Sequence, residues 1–587
     1  MRLAVLLLLL AAAPPRRTQG PCDGAPPAAP VAYTLTPVVS DGRLTHLAVE
    51  LRFCGDADGS TRLVMPDAGG AAAPPWSAPV VEGGAALARD GERAWRLAHR
   101  PGAALVVRYE IRPAGGAAAD TAAEPGAAFD KSRPVVRPGW FFFHGEGVFA
   151  EPDGRDGGPA RFAWGPLPAG WRVASDLDHV ADGHPARWRA ATVTDVQESV
   201  ALGAPDLEVE TRRVGGAAVR VARRGRWAFP AAALADTVAA VTRALHDYWA
   251  DPVRPFFVAA APLVPDAGGG HSIHGTGRGD AFSLAATTNA DLPAQRRLLA
   301  HELAHAWVPT ALGGYAARDE AREYWFTEGL ADFVAARALL RAGLWTPERF
   351  AADLDSALYR TATSPARALP NAEAAARHWR DPDVRQLAYD RGHLLGHLVD
   401  HHVRAASGGR AGLDDVLRAQ RRAAARDARR GVRVSAAARF PAAVRARTGV
   451  DVRGVLARHV ERGEPVWLPE ALFGACARVE RVTGPVFDRG FDAAATRAAG
   501  GVATGVDSAG PAWAAGLRDG MRLVRREAGV VGDPAVRYAL RVSDGAREWT
   551  LSYLPASARH VAWQRVALAP PRDAAARAAC AARLHGG

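Results

Sequence analysis

The residues of this chain whose types and spacing could do chemistry lie in one short run, His-Glu-Leu-Ala-His, from His301 to His305. An α-helix advances about 3.6 residues per turn, so the two histidines stand on one face, about one turn apart. Two imidazoles at that spacing can bind a single Zn²⁺ and leave Glu302 beside the metal to handle a proton. The alternative is an amphipathic helix that carries two histidines by chance.

A third ligand is needed, because a catalytic zinc site keeps three protein ligands and one position for water. Glu328 lies far enough beyond His305 for a loop and a returning helix, which would place its carboxylate opposite the first helix. Asp332 is one helical turn further on and could accept the outer ring proton of His301. The alternative for Asp332 is a solvated helix residue.

The chemistry that this set predicts is hydrolysis, with Glu302 as the general base for water that attacks a carbonyl carbon. The oxyanion that develops needs a hydrogen-bond donor besides the metal. Tyr389, in the run Ala-Tyr-Asp-Arg-Gly, is the candidate. Spacing alone does not distinguish it from an ordinary half-buried helix tyrosine.

Three helices must position these residues. A helix that opens near residues 291–293 and runs to about Thr310 would carry the histidines, since proline is tolerated in a first turn. A second, from about Glu323 to Ala342, would carry Glu328, and a third, over residues 382–403, would carry Tyr389.

Short β-rich runs separated by Gly, Pro and Asp turns dominate the chain before this region and again after about residue 475. We therefore expect a multidomain α+β protein with a β-sandwich-like domain first. A glycine-rich turn precedes the zinc helix and should lead into an edge strand. Its candidate substrate contacts, for which a purely structural turn is the alternative, are Gly269, Gly270, His271 and His274.

The runs HELAH, WFTEGLADF and AYDRGHLL resemble the gluzincin metallopeptidases, above all the glycyl aminopeptidase family, which is related to aminopeptidase N. The resemblance implies Zn²⁺ as cofactor, a peptide or protein substrate and oxyanion stabilisation by Tyr389. It also implies a thermolysin-like α/β domain with a helical second half, followed by a PDZ-like domain that could bind peptides. The implied division is 1–20 signal peptide, 21–222 β-rich domain, 223–470 peptidase domain and 475–570 PDZ-like domain.

One departure from the family concerns the substrate's amine. In these peptidases a glycine-rich motif ahead of the zinc helix offers a glutamate to that ammonium group, whereas residues 268–274 here contain no acid. The absence puts aminopeptidase specificity in doubt and leaves endopeptidase activity open.

The chain's start and its cysteines indicate the cellular compartment of the protein. Residues 3–13 form an apolar run after Arg2, as in secretory signals, and it is too short to span a bilayer. We expect an exported protein, periplasmic or secreted, without a transmembrane helix in the mature chain. Proximity favours disulfides Cys22–Cys54 and Cys476–Cys580, with free buried thiols as the alternative.

Charge and a histidine stripe complete the sequence evidence. The formal net charge of +11 comes from arginines spread through the chain without a nucleic-acid-binding motif, so we expect no nucleic-acid partner. His393, His397 and His401 lie four apart on one predicted helix and are interpreted as a packed face rather than a second metal site. The remaining alternatives are a non-catalytic PDZ-containing scaffold and a zinc hydrolase of non-peptide substrates.

Overall fold

The computed structural model describes residues 22, 29–67, 74–82, 84–113, 130, 133–178, 189–265, 272–316 and 318–586. The chain forms two compact units. The first takes most of the residues before 202, and the second takes residue 202 onward. No helix within the described ranges is both long and apolar enough to cross a membrane.

The first two hundred residues are rich in β structure, as the short β-rich runs between Gly, Pro and Asp turns predict. Two of the sheets have the strand orders β13-β11-β1-β2-β7-β4 and β10-β3-β6-β5. A disulfide joins Cys22 to Cys54 at the end of the second strand. The elements of this region are β1 Val31–Ser40, β2 Arg43–Cys54, β3 Ser60–Val64, β4 Val80–Glu82, β5 Ala86–Arg89, β6 Ala94–Ala98, β7 Ala104–Ile111, β8 Val135–Arg137, β9 Trp140–His144, β10 Glu151–Pro152, β11 Pro159–Trp164, β12 Arg172–Ser175, β13 Arg189–Thr192, α1 Val193–Gln197 and β14 Val200–Ala204.

The second unit begins with a five-stranded mixed sheet, in the order β15-β16-β17-β19-β18. Its last strand in that order, β18, is an edge strand antiparallel to β19, as the glycine-rich run before the zinc helix predicts. The elements are β15 Glu208–Val214, β16 Ala217–Arg223, α2 Ala231–Trp249, β17 Phe256–Leu263, β18 Ile273–Arg278 and β19 Ala281–Thr287.

Helices follow the sheet and pack around one that is buried on nearly all sides, α4. It contacts both the helix that carries His301, α3, and the helix with Tyr389, α7. These elements are α3 Leu292–Ala304, a 3₁₀ helix Glu320–Glu323, α4 Tyr324–Arg341, α5 Pro347–Thr363, α6 Asn371–Arg377, α7 Pro382–Ser407, α8 Leu413–Ala428, α9 Ala436–Thr448 and α10 Arg453–Leu456.

The zinc-motif helix is shorter than the sequence predicts: α3 ends at Ala304 instead of continuing to about Thr310. The next three residues bond three positions back, and the backbone N–H of His305 donates to the Glu302 carbonyl (3.2 Å). Pro309 then has no N–H to donate, so a regular helix cannot continue through it. The tightened turn lets His305 Nδ1 donate to the carbonyl of Val308 (2.8 Å).

Glycines allow α4 and α7 to approach backbone to backbone. A Cβ on Gly392 would lie 1.7 Å from the carbonyl oxygen of Trp325, and one on Gly329 would lie 2.3 Å from the Gly392 Cα. Only residues without a side chain fit there. Glu328 directly precedes Gly329, and Tyr389 lies three residues before Gly392, about one helical turn away. The close packing of α4 on α7 therefore brings both side chains to the same place.

The last region combines short strands with small helices around an apolar cluster of its own. The long strands β20 and β24 pair with each other, and β21, β22 and β23 form a separate antiparallel sheet. A disulfide joins Cys476 to Cys580. The elements are β20 Ala477–Phe487, α11 Ala493–Ala498, α12 Pro511–Ala514, β21 Arg522–Ala528, β22 Tyr538–Ser543, β23 Glu548–Tyr553, β24 Ala556–Leu568 and α13 Ala574–Leu584.

Candidate metal centre

Helices α3 and α4 bring His301, His305 and Glu328 together. The two Nε2 atoms are 3.2 Å apart, and the Glu328 Oε2 lies 3.3 Å from that of His301 and 3.6 Å from that of His305. Among the described residues, this is the one group of three or more His, Cys, Asp or Glu side chains that could hold a metal ion.

The donor set fits zinc. A tetrahedral ion with bonds of about 2.0–2.1 Å to nitrogen and oxygen holds its ligands about 3.3 Å apart, which is close to the three observed separations. The Nδ1 atoms of both histidines already have oxygen acceptors, so both Nε2 lone pairs are available to the ion. Two imidazoles and one carboxylate leave a fourth tetrahedral position for water or substrate.

Buried charge behind the centre holds its ligands in place. Asp332 accepts a hydrogen bond from His301 Nδ1 (2.7 Å) and one from Arg297 (2.9 Å), whose guanidinium also pairs with Asp353 (2.6 Å). Burial alone would raise the pKa of Asp332, but Arg297 and His301 lower it below its usual range. The carboxylate is therefore ionised, and it orients the imidazole ring.

The charge of the Glu328 carboxylate and its effect on the two imidazoles favour a positive ion at this site. Burial would raise the pKa of Glu328, yet the two neighbouring imidazoles hold it below its ordinary value. Burial would lower the pKa of His301, but Asp332 and Glu328 raise it to about 10. Both carboxylates favour positive charge at the imidazoles, and a Zn²⁺ ion supplies that charge in competition with protons.

We expect Asp332→Asn to weaken zinc binding by about 10- to 100-fold, the usual effect of losing a carboxylate partner of a ligand histidine. The asparagine can keep the hydrogen bond to His301 but not its charge. Competition with a chromophoric chelator would measure the affinity, with Asp383→Asn, an exposed aspartate in the first turn of α7, as the matched control. Equal zinc affinities for Asp332→Asn and the parent chain would contradict this role.

Glu302 is held against the edge strand of the sheet. Its Oε2 accepts a hydrogen bond from the backbone N–H of Gly277 in β18 (3.1 Å). A Cβ on Gly275 would lie 3.0 Å from Glu302 Cγ, and one on Gly277 would lie 2.9 Å from its carbonyl oxygen. The alternating glycines of β18 therefore allow the strand to approach the zinc helix. Sequence reasoning missed this function, although the Gly-Thr-Gly run was its signal.

Tyr389 lies over the first histidine, on the side of the centre formed by α7. Its ring stacks on that of His301 with centroids 5.5 Å apart and planes 28° apart. Burial and the carboxylate of Glu328 raise the pKa of the phenol. The hydroxyl is therefore protonated at neutral pH, and it can donate a hydrogen bond to an oxyanion beside the metal.

The predicted substrate contacts of the glycine-rich turn are only partly visible. Gly269, Gly270 and His271 lie outside the described residues. His274 lies in β18, half-buried and in register with Ala285 of β19. No residue of β18 is acidic, so this strand brings no carboxylate to the metal centre.

His397, in the middle of the histidine stripe on α7, packs among aromatic side chains. The ring of His397 lies 5.0 Å from that of Phe333 and 5.9 Å from those of Phe350 and Phe473. Burial lowers the pKa of His393 and of His397, so both are neutral at physiological pH. His393 and His397 therefore belong to a packed helix face, as the sequence interpretation predicts, whereas His401 is half-buried.

Known proteins resemble this chain both at the metal centre and in overall fold. Residues 294–394, which contain both histidines, Glu328 and Tyr389, match the family model described as M61 glycyl aminopeptidase. No curated protein matches the chain. The crystal structure of an aminopeptidase N family protein from Idiomarina loihiensis is similar in fold, with a TM-score of 0.65 at 15% identity over 92% of this chain and 98% of that one.

A second solved structure is an M1 zinc metallopeptidase from Deinococcus radiodurans. It is 19% identical over 75% of this chain and 95% of that one, with a TM-score of 0.49. The family match covers the helices of the metal centre, and the Idiomarina structure shares the multidomain α+β fold. The resemblance to gluzincin metallopeptidases that the sequence motifs indicate is thereby confirmed.

Proposed function

We propose that this chain is a zinc-dependent metallopeptidase that hydrolyses peptide bonds. The observation that carries the proposal is that the Nε2 atoms of His301 and His305 and the Glu328 carboxylate lie within 3.2–3.6 Å of one another. Glu302 lies on the same turn of α3 as His301. The family match over residues 294–394 supports the reaction class. The ligand set is His301, His305 and Glu328.

Each residue of the centre has a separate part in hydrolysis. Zinc, when bound, lowers the pKa of a water molecule and polarises the scissile carbonyl. Glu302 takes the proton of the attacking water and returns it to the leaving amine, since a carboxylate fixed beside the nucleophile can serve as base and then as acid. Gly277 orients that carboxylate through its N–H, and Tyr389 donates to the oxyanion.

We expect Tyr389→Phe to fold and to bind zinc like the parent chain but to turn over more slowly. The phenylalanine keeps the ring stacked on His301 and removes only the hydroxyl. Loss of one oxyanion donor costs about 10²- to 10³-fold in kcat. Steady-state kinetics would measure this, and a rise in KM with kcat unchanged would assign Tyr389 to ground-state binding instead.

Substrate specificity follows from the strand beside Glu302. Because β18 carries no acid, the family's way of binding a substrate amine has no counterpart in this strand, and we propose that the enzyme also accepts peptides with blocked N-termini. Hydrolysis of matched free-amine and acetylated peptides, with and without a chelator, tests both the acceptance of blocked N-termini and the dependence on zinc. Cleavage of neither peptide with zinc present would favour the scaffold alternative or a non-peptide substrate.

The C-terminal region and the cellular location complete the proposal. Residues 475–570 are proposed to form a PDZ-like domain, on the support of the sequence run 510–521 and of a small antiparallel sheet with two short helices. Such folds take peptides by strand addition.

Two disulfides support an exported protein, periplasmic or secreted, because such bonds persist in oxidising compartments.

A further inference from the structure

Helix α13 ends against the helix that carries the zinc ligand Glu328. The backbone carbonyl of His585, just past the end of α13, accepts hydrogen bonds from Nε (3.0 Å) and Nη2 (2.6 Å) of Arg337 on α4. The carbonyl of Gly586 accepts one from Arg404 on α7 (2.6 Å). These two residues therefore bond to both of the helices that pack closely at the metal centre.

The arginines that bind this segment outnumber the carboxylates paired with them. Arg337 is 1% exposed and pairs with Asp400 (2.9 Å). Arg404 pairs with the same carboxylate (2.9 Å). Arg341, the third arginine, pairs with Asp414 (2.8 Å). Because the free carbonyls at the C-terminal end of a helix carry partial negative charge, the end of α13 stabilises the guanidinium groups that these two carboxylates share.

The fit at Gly586 leaves no room for a side chain. Its φ of +83° is in the left-handed region, and a Cβ there would overlap Nη2 of Arg337 and lie 2.5 Å from Nη2 of Arg404. Leu584, in the last turn of α13, is 1% exposed and belongs to the large apolar core of the second unit. The earlier turns of α13 are mostly exposed, so the helix is held chiefly by its end.

A disulfide adds a covalent attachment one turn before that end. Cys580 lies four residues before Leu584 and is bonded to Cys476, the last residue of the 3₁₀ helix Gly474–Cys476 that precedes β20. An isolated helix of about a dozen residues is only marginally stable in water. Without the disulfide, α13 is joined to β24 by the segment 569–573 and leaves its position more easily.

We call α13 together with residues 585–586 the strap, and we propose that it is redox-controlled. It binds α4 and α7 while Cys476 and Cys580 are joined, and it leaves them once the disulfide is reduced. The S–S bond forms as each thiol loses its proton and two electrons pass to a disulfide-bearing oxidant, which takes up both protons and becomes a pair of thiols. The strap therefore stabilises the helices of the metal centre once the chain is in an oxidising compartment, whatever substrate that centre acts on.

Trypsin reports whether the strap is in place, because Arg577 and Arg583 lie within it. Cleavage after either residue requires the helix to leave its position and open. We expect Cys476→Ser/Cys580→Ser and Gly586→Ala each to be cleaved there about 10-fold faster than the parent zinc-loaded chain, since each favours the open form.

Two further variants are the matched controls. Cys22→Ser/Cys54→Ser opens the disulfide of the first unit instead, and Gly545→Ala places a side chain at a similar φ (+94°) where nothing lies within 4 Å. Calorimetry of the same samples follows the unfolding transition that zinc shifts upward, since the metal stabilises the unit that binds it. This transition should lie about 3–10 °C lower in both test variants than in their controls.

A reversible experiment keeps the test valid if a substituted chain fails to fold. In Cys22→Ser/Cys54→Ser the disulfide of the strap is the one that remains, so a phosphine reductant opens it and oxidised glutathione closes it. Tryptic cleavage of the strap should rise about 10-fold on reduction and return to its first value on oxidation. Cleavage within twofold of the oxidised value after complete reduction would overturn the proposal. A Gly586→Ala chain as resistant to trypsin as Gly545→Ala would also overturn it, because the arginine contacts would then not hold the helix.

Discussion

Glu302→Gln is expected to bind one zinc ion per chain and to lose about 10²- to 10⁴-fold in kcat, because general base catalysis contributes on that scale. The substitution keeps the size of the side chain and an oxygen that can accept from the Gly277 N–H. It removes the negative charge and with it the ability to take a proton from water. Metal binding should survive, since Glu302 is not among the three ligands.

Two measurements on the same sample check this expectation. Elemental analysis gives the zinc content, and cleavage of an acetylated peptide at saturating concentration gives kcat. Glu373→Gln, which neutralises an exposed acid on α6, is the control for the loss of one charge. If Glu302→Gln turned over within a few-fold of the parent chain while fully loaded with zinc, another group would have to be the base.

Glu328→Ala is expected to lose both zinc and activity. The carboxylate is a direct ligand in the proposed set and brings the negative charge that keeps the buried imidazole of His301 and the half-buried imidazole of His305 close together. Without it, only the two imidazole ligands of His301 and His305 remain, and neither of them brings a negative charge to the metal. We expect zinc affinity to fall by more than the roughly 100-fold upper range for removing a partner of a ligand.

The comparison with Asp332→Asn makes this second prediction specific. Both changes remove a carboxylate beside the same histidine, but only Glu328 faces the Nε2 atoms. Chelator competition on both variants should therefore rank Glu328→Ala well below Asp332→Asn in zinc affinity. The reverse order, or full zinc occupancy of Glu328→Ala after dialysis, would remove Glu328 from the ligand set.

Local spacing was enough to predict the core of the candidate site. Histidines four apart on a helix must share a face, whatever surrounds them, and Glu328 with Asp332 follows the same rule on the next helix. The edge strand ahead of the zinc helix was also predicted from turn residues. These features depend on helical or strand periodicity within a single segment, which the sequence shows directly.

Features that depend on packing between distant segments could not be predicted in that way. Arg297 bridges Asp332 and Asp353 from three separate helices, and no local pattern pairs them. The contact of Gly329 with Gly392 places Tyr389 near Glu328, but a glycine inside a helix is equally well explained by chance. α3 ends at Ala304, ahead of Pro309, which has no N–H to continue the helix. The helix prediction, which ran to about Thr310, did not take this proline into account.

The fold was predictable in class but not in connectivity. Short β-rich runs between turn residues indicated the β-rich N-terminal region. The four-residue spacing of the histidines and a proline in a first turn indicated the zinc-motif helix. The parallel pairing of β1 with β11, which are far apart in sequence, depends on long-range contacts that leave no short-range signal. The domain boundaries at 222 and 475 stay predictions.

The most direct test of the account is anomalous diffraction at the zinc edge from crystals of the zinc-loaded chain. The account predicts one strong peak about 2.0–2.2 Å from Nε2 of His301, Nε2 of His305 and a Glu328 carboxylate oxygen, with water as the fourth ligand. A peak elsewhere, or a fourth position filled by a side chain of the protein itself, would contradict a catalytic metal centre.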